Sequence, residues 1–197
     1  MAAVIDGYPH ASAGLVDSVR YAVEQANAAV FRAAQMQPAL RGMGTTCTVI
    51  AIRDREAACA HVGDSRLYLI RRGAIYTMTE DHSAVRESVA RGLITAAAAR
   101  THVDRNVLLR AVGTAADVEV AVWSQPFPLE PGDRLLLCTD GLHGLLSDDE
   151  LCDASGGSDA DAACRRLIAL ARARGGFDNI TAAIVDVGTH AEQGEHS

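Results

Sequence analysis

The sequence predicts an α+β fold built on antiparallel sheets. Two observations carry this reading. Apolar, β-branched runs come in groups between residues 45 and 79, and helical patterns lie before and after them. Strands and helices therefore do not alternate strictly, as a parallel βαβ sheet would require. The chain has 197 residues, 49% of them apolar, which suits one domain with a full core.

Taken in order, residues 1–14 are small, turn-prone and irregular. Leu15, Val19, Val23, Ala26 and Val30 recur at helical spacing, so the pattern predicts an amphipathic helix from Leu15 to about Ala34. Pro38, Gly42 and Gly44 end it. Strands are expected at Thr45–Arg53, Ala57–Val62 and Leu67–Arg71, and Arg72-Gly73 turns the chain into a fourth at Ala74–Thr79. Two short helices, His82–Arg91 and Thr95–Arg100, are separated by Gly92. Asp117–Trp123 reads as a strand. Gln125–Gly132 holds three of the five prolines and reads as a connector closed by a Pro131-Gly132-Asp133 turn. Arg134–Thr139 is a buried strand. Ser147 and Glu150 form a capping box that starts a short helix. A longer helix runs over Ser158–Arg174, with Ser158 as its cap and Gly175-Gly176 as its stop. Ile180–Val187 is the last strand, and residues 189–197 form a polar tail expected to fray.

Eighteen basic and 25 acidic side chains give a net charge of −7, with no basic block. That argues against general nucleic-acid binding, which depends on phosphate neutralisation. Five scattered cysteines (Cys47, Cys59, Cys138, Cys152 and Cys164) show no C-x-x-C spacing; four lie in apolar or helical patterns and read as small core residues, and the odd count and spread favour a reducing compartment. No stretch approaches a membrane span, and Met1–His10 lacks a signal-peptide layout, so a cytoplasmic location is expected.

Asp140 and Asp178 each sit in a tight turn beside an apolar run, in Thr139-Asp140-Gly141 and Phe177-Asp178-Asn179. Asp64, in Gly63-Asp64-Ser65-Arg66, follows another such run. Carboxylates at strand ends beside glycine or asparagine suit a hard divalent cation, which takes oxygen ligands and leaves room for water. Each turn alone could be an ordinary Asx or Asp-Gly turn. Three together suggest a metal-assisted hydrolase.

Gly42-Met43-Gly44-Thr45-Thr46, His61-Val62-Gly63-Asp64-Ser65-Arg66-Leu67-Tyr68 and Thr79-Glu80-Asp81-His82-Ser83 follow one another in the chain. Arg105 to Gly113, Leu137-Cys138-Thr139-Asp140-Gly141-Leu142 and Asp178-Asn179-Ile180-Thr181 complete the set. In this order, the segments resemble the metal-dependent protein phosphatases (PPM, or type 2C, serine/threonine phosphatases), most of all the compact bacterial members. The resemblance covers residues 15–187 or so. It implies a sandwich of two antiparallel sheets flanked by helices, with a pair of Mn²⁺ or Mg²⁺ ions at one end. It further implies that Asp140 and Asp178 are ligands of that pair, and that Asp64 helps Asp140 hold a third, weaker ion. The segment from about His82 to Gly113 matches a variable flap beside the site.

Two cations roughly 3.5–4 Å apart can acidify a shared water, which then attacks a phosphoserine or phosphothreonine ester in line. No catalytic side chain is needed as nucleophile. The implied partners are phosphorylated proteins and a serine/threonine kinase or its targets, in a signalling role; nothing indicates the oligomeric state. His143 is open to two readings, a proton donor, or a residue that stands behind the metals or faces solvent, and the second is expected. Arg66 is open to phosphate binding or to pinning the local loop, and again the second is expected.

One family feature has no counterpart. Full members begin with a strand carrying a phosphate-binding arginine, followed by an Asp-Gly-x-Gly-Gly segment whose aspartate bridges both catalytic metals. Asp6-Gly7 lies too close to Gly42 for that role, and Tyr8-Pro9 replaces the glycines. The phosphatase domain, residues 15–188, is therefore expected to be shortened at its N-terminal side. An inactive phosphatase-like binding or regulatory module, or a truncated fragment, is the alternative reading.

Overall fold

A computed structural model describes residues 14–157 and 159–188. Helix α1 (Leu15–Met36) presents Val19 and Val23, both fully buried, to the first sheet, and ends ahead of a short 3₁₀ turn at Pro38–Leu40. Strands β1 (Cys47–Arg53) and β2 (Glu56–Val62) pair antiparallel around Asp54-Arg55, both at positive φ. Strand β3 (Arg66–Arg71) joins β4 (Ala74–Thr77) through Arg72-Gly73, whose φ values of 55° and 77° give the expected hairpin turn. Helices α2 (Ala84–Ala90) and α3 (Ala96–Ala99) follow. Next come β5 (Ala121–Val122), β6 (Phe127–Pro128) and β7 (Arg134–Cys138). The chain continues through α4 (Asp140–His143), α5 (Asp148–Ser155), α6 (Ala160–Ala173) and β8 (Ala182–Asp186).

Two antiparallel sheets result. One has the order β1-β2-β5, with β6 also on β2, and the other has the order β4-β3-β7-β8. Alternation along β2 explains the stacking. Ala58, Ala60 and Val62 face α1, while Ala57 and Cys59 face the second sheet with Leu67, Leu69 and Leu135. The outer side of the second sheet buries Tyr68 and Leu136 against Leu151 of α5 and Leu167 of α6. The order of layers is helix, sheet, sheet, helix.

Several boundaries differ from the sequence reading. The expected strand Asp117–Trp123 contracts to β5, because only Ala121 and Val122 find ladder partners, at His61 and Ala60. The expected connector Gln125–Gly132 contains β6, where Phe127 and Pro128 pair with Ala57 and Glu56; a proline is tolerated there at the margin of the sheet. Thr45 makes only an isolated bridge to Val112. The capping box at Ser147 and Glu150 forms as expected. Asp159 caps α6, its side chain accepting from the Ala162 N–H at 2.8 Å, and the expected cap Ser158 lies outside the described residues. So do residues 1–13, including Asp6-Gly7, and the tail at 189–197. All five cysteines are free. Among the described residues no helix is long and apolar enough to cross a membrane.

Candidate metal centre

Three loops meet at one end of the sandwich. The first leaves β7 through Thr139 and becomes the single turn α4, with Asp140 as its first residue. The second, ahead of β8, carries Asp178 and Asn179. Thr139 ties the two together. Its Oγ1 donates to the Asn179 carbonyl and accepts from the Thr181 N–H, both at 3.1 Å. Gly141 brings them into contact, since a Cβ there would stand 2.4 Å from the Asn179 carbonyl oxygen. Any side chain at 141 would force Asp140 and Asp178 apart.

The third loop, Gly63–Ser65, joins β2 to β3 and carries Asp64. Gly63 has φ 111°, and a Cβ on it would collide with Thr46 at 2.4 Å. Thr46 Oγ1 and Ser65 Oγ are 2.7 Å apart. The Gly42–Thr46 segment is thus the bed on which the Asp64 turn lies. From the other side His143, in α4, donates its Nε2–H to the Asp64 carbonyl at 2.9 Å. Burial and the nearby Arg66 guanidinium push the His143 pKa down to about 4, so it is neutral near pH 7. That geometry gives His143 a positioning role, as expected.

Arg66 also takes its expected structural role. Its guanidinium makes a two-pronged pair with Asp81, at 2.8 and 2.7 Å, and donates to the Tyr68 hydroxyl at 2.9 Å. Asp81 escaped the sequence reading. Its segment was visible, but pairing across 15 residues leaves no local pattern.

Asp64, Asp140 and Asp178 all line one cleft of about 460 Å³. Their electrostatic state is distinctive. Burial, then the Asp140 and Asp81 charges, push the Asp64 pKa up to about 6. Asp140 is also raised, by burial and then by Asp178. These carboxylates repel one another, and among the described residues none of them forms an ion pair, the Arg66 charge only partly offsetting the rise at Asp64. A hard cation would relieve both effects, so the donor set fits Mn²⁺ or Mg²⁺. Among the described residues no three His, Cys, Asp or Glu side chains converge as the cage of a single ion. The arrangement is instead a chain of neighbours, Asp64 to Asp140 to Asp178, with Asp140 common to both pairs.

Residues 8–91 match the family model for protein phosphatase 2C. The chain is 39% identical to the protein phosphatase PhpP of Streptococcus pneumoniae over 151 residues, covering 76% of this chain and 60% of PhpP. Its fold matches the crystal structure of the Mycobacterium tuberculosis serine/threonine phosphatase PstP/Ppp with a TM-score of 0.86. There the identity is 34%, over 93% of this chain and 76% of that one. The chain belongs to the protein phosphatase 2C family. A structure of the PstP catalytic domain in complex with two manganese ions matches with a TM-score of 0.82, at 33% identity over 92% of this chain and 76% of that chain. The chain spans less than two thirds of the length of the first curated relatives it matches. The two-sheet sandwich flanked by helices is the fold of these phosphatase structures. Of the segments that carry the resemblance, those holding Asp64, Asp81, Arg105, Asp140 and Asp178 contribute to the lining of the cleft.

Proposed function

We propose that residues 15–188 act as a metal-dependent serine/threonine protein phosphatase domain that hydrolyses phosphoserine and phosphothreonine esters of proteins. The carrying observation is the convergence of Asp64, Asp140 and Asp178, from three separate loops, on one cleft. Asp140 and Asp178 would hold the catalytic Mn²⁺ or Mg²⁺ pair, and Asp64 with Asp140 a third ion, with water completing each shell. When bound, such ions supply Lewis acidity, drawing charge from the phosphoryl group and acidifying water.

The chain's own residues position and exclude. Thr139 and Gly141 hold the Asp140 and Asp178 loops in contact, while His143 and Thr46 hold the Asp64 turn. A cysteine nucleophile is disfavoured on physical grounds. Cys138, nearest the cleft in sequence, is buried and its thiol is pushed up to about 12, so it supplies no thiolate at neutral pH. The reading places the protein in the cytoplasm, in signalling, with phosphorylated proteins and a serine/threonine kinase or its targets as partners.

The test is Mn²⁺-dependent phosphate release from a phosphothreonine peptide by the chain, by Asp140→Asn and by Asp178→Asn. Losing even a partner behind a ligand costs about 10–100-fold, so each substitution should lower turnover at least about 100-fold. Full turnover in both variants would overturn the site. A wild-type chain that melts cooperatively, binds Mn²⁺ and releases no phosphate would favour the non-catalytic module.

A further inference from the structure

The charged groups around the cleft are not all accounted for by the metal centre. Arg66 is paired with Asp81, and Arg86 of α2 with Glu80 at 3.0 Å. Asp64, Asp140 and Asp178 are the proposed ligands. Two lining cations remain, Arg100 just after α3 and Arg105 in the turn that follows. Both are exposed, and among the described residues neither side chain makes an ion pair or hydrogen bond within the chain. The cleft also has an apolar wall, to which Val85, Val89, Ala96 and Leu145 contribute, together with Phe177, which is 88% exposed.

We infer that Arg100 and Arg105 form a specificity subsite for a second anionic group on the substrate, next to the phosphorylated residue. This rests on the phosphatase reading of the same cleft. The physical argument is one of unspent charge. An exposed arginine far from any site costs nothing and needs no explanation. Two in one cleft, both without an acidic partner, present ten N–H donors to whatever enters it. Guanidinium groups pair in fork geometry with carboxylate and phosphate alike, so the chemistry fits an acidic side chain or a second phosphate group. The apolar wall suits the stems of the intervening residues. The chain's net charge of −7 does not oppose this, because exposed charges beyond about 8 Å are screened at physiological salt.

The subsite makes a substrate preference that lysine-rich or neutral phosphopeptides would not share. The probes are fluorescein-labelled peptides in which an uncleavable phosphonate replaces the phosphate of phosphothreonine. One has neutral flanks, one glutamate flanks, one a second phosphonate, and one lysine flanks. Anisotropy in the presence of Mn²⁺ gives the affinity of each for the wild-type chain and for the double variants Arg100→Ala/Arg105→Ala and Arg100→Glu/Arg105→Glu.

The wild type should prefer at least one anionic peptide over the neutral one by roughly fivefold, the sum of two exposed charge pairs, and the preference should shrink as salt rises. A preference confined to the glutamate peptide assigns the subsite to carboxylates, and one confined to the second phosphonate assigns it to phosphate. In the alanine variant the ratio should fall to about one, and in the glutamate variant the lysine-flanked peptide should become the tighter ligand. Equal affinity for all four peptides, or a preference that survives both double variants, overturns the inference. The phosphatase reading fails differently. In that case replacing the phosphonate by unmodified threonine would leave Mn²⁺-dependent binding unchanged, while the ratio between flanks could still be read.

Discussion

Strand β7 carries an aspartate at each end, and the two live in opposite electrostatic states. Asp133, just before the strand, is 2% exposed. It accepts two hydrogen bonds from the Arg71 guanidinium, at 2.7 and 2.6 Å, and one from the Glu130 N–H at 2.7 Å. Burial works against its charge, but these donors outweigh burial and hold its carboxyl below the usual range. Asp140, just after the strand, makes no ion pair among the described residues. It accepts from the Gly141 N–H at 2.9 Å and lines the same cleft as Asp64 and Asp178, and burial, then the Asp178 and Asp81 charges, raise its pKa. One end of the sandwich uses its carboxylate to lock β3 to β7. The other gathers three carboxylates in one cleft with no ion pair among the described residues, which favours function over stability.

The far end should therefore give the largest effect on stability. Asp133→Ala removes the two-pronged acceptor of the Arg71 guanidinium, which keeps only Glu130 and the Pro128 carbonyl, and leaves the Glu130 N–H without its acceptor. Breaking a buried pair in this way costs about 3 kcal/mol, or a fall of roughly 6–12 °C in Tm for a chain of this size. Thermal and urea melts would measure it. A loss below about 1 kcal/mol would mean that the two ends differ less than their hydrogen bonding indicates.

A smaller effect follows from pH. The folded-state pKa of Asp133 is depressed, so its stabilisation is complete above the unfolded value near 4. It is lost as pH falls through the lower, folded value. Urea melts between pH 5 and 2.5 should show wild-type stability declining by about 1–2 kcal/mol more than that of Asp133→Asn. Parallel curves would remove Asp133 as the source of the far end's stability.

Much of this contrast could be read from the chain, and the unread part has a physical reason. Asp140, Asp178 and Asp64 stood out because glycine or asparagine follows or precedes each within a turn, and turn chemistry is local. The Ser147 capping box was legible for the same cause. Asp133 was read only as part of a Pro-Gly-Asp turn, because its partner Arg71 lies 62 residues away. The pairing of Asp81 with Arg66 was hidden likewise. The single turn α4 was missed because Asp140-Gly141 looks like a strand-ending turn, and glycine is a poor helix former. Tertiary contact explains the residue: nothing larger than glycine fits beneath the Asn179 carbonyl, so a poor helix former occupies this turn.

The smallest predicted effect is the most diagnostic of the near end. In EDTA, Asp140→Asn removes one charge from the repelling series while keeping an oxygen to accept the Gly141 N–H. The metal-free variant should be more stable than wild type by a few tenths to about 1 kcal/mol, a rise of roughly 1–3 °C in Tm. Adding Mn²⁺ should reverse the order, because only the wild type gains binding free energy from the ion. A mutation that stabilises without metal and destabilises with it separates a ligand from a structural aspartate. Asp133→Asn, by contrast, should lower Tm equally in both conditions, since its carboxylate serves Arg71 whether or not the cleft holds a cation. If Asp140→Asn instead lowers stability in EDTA, its carboxylate belongs with Asp133 as a structural group, and the two ends of β7 are alike.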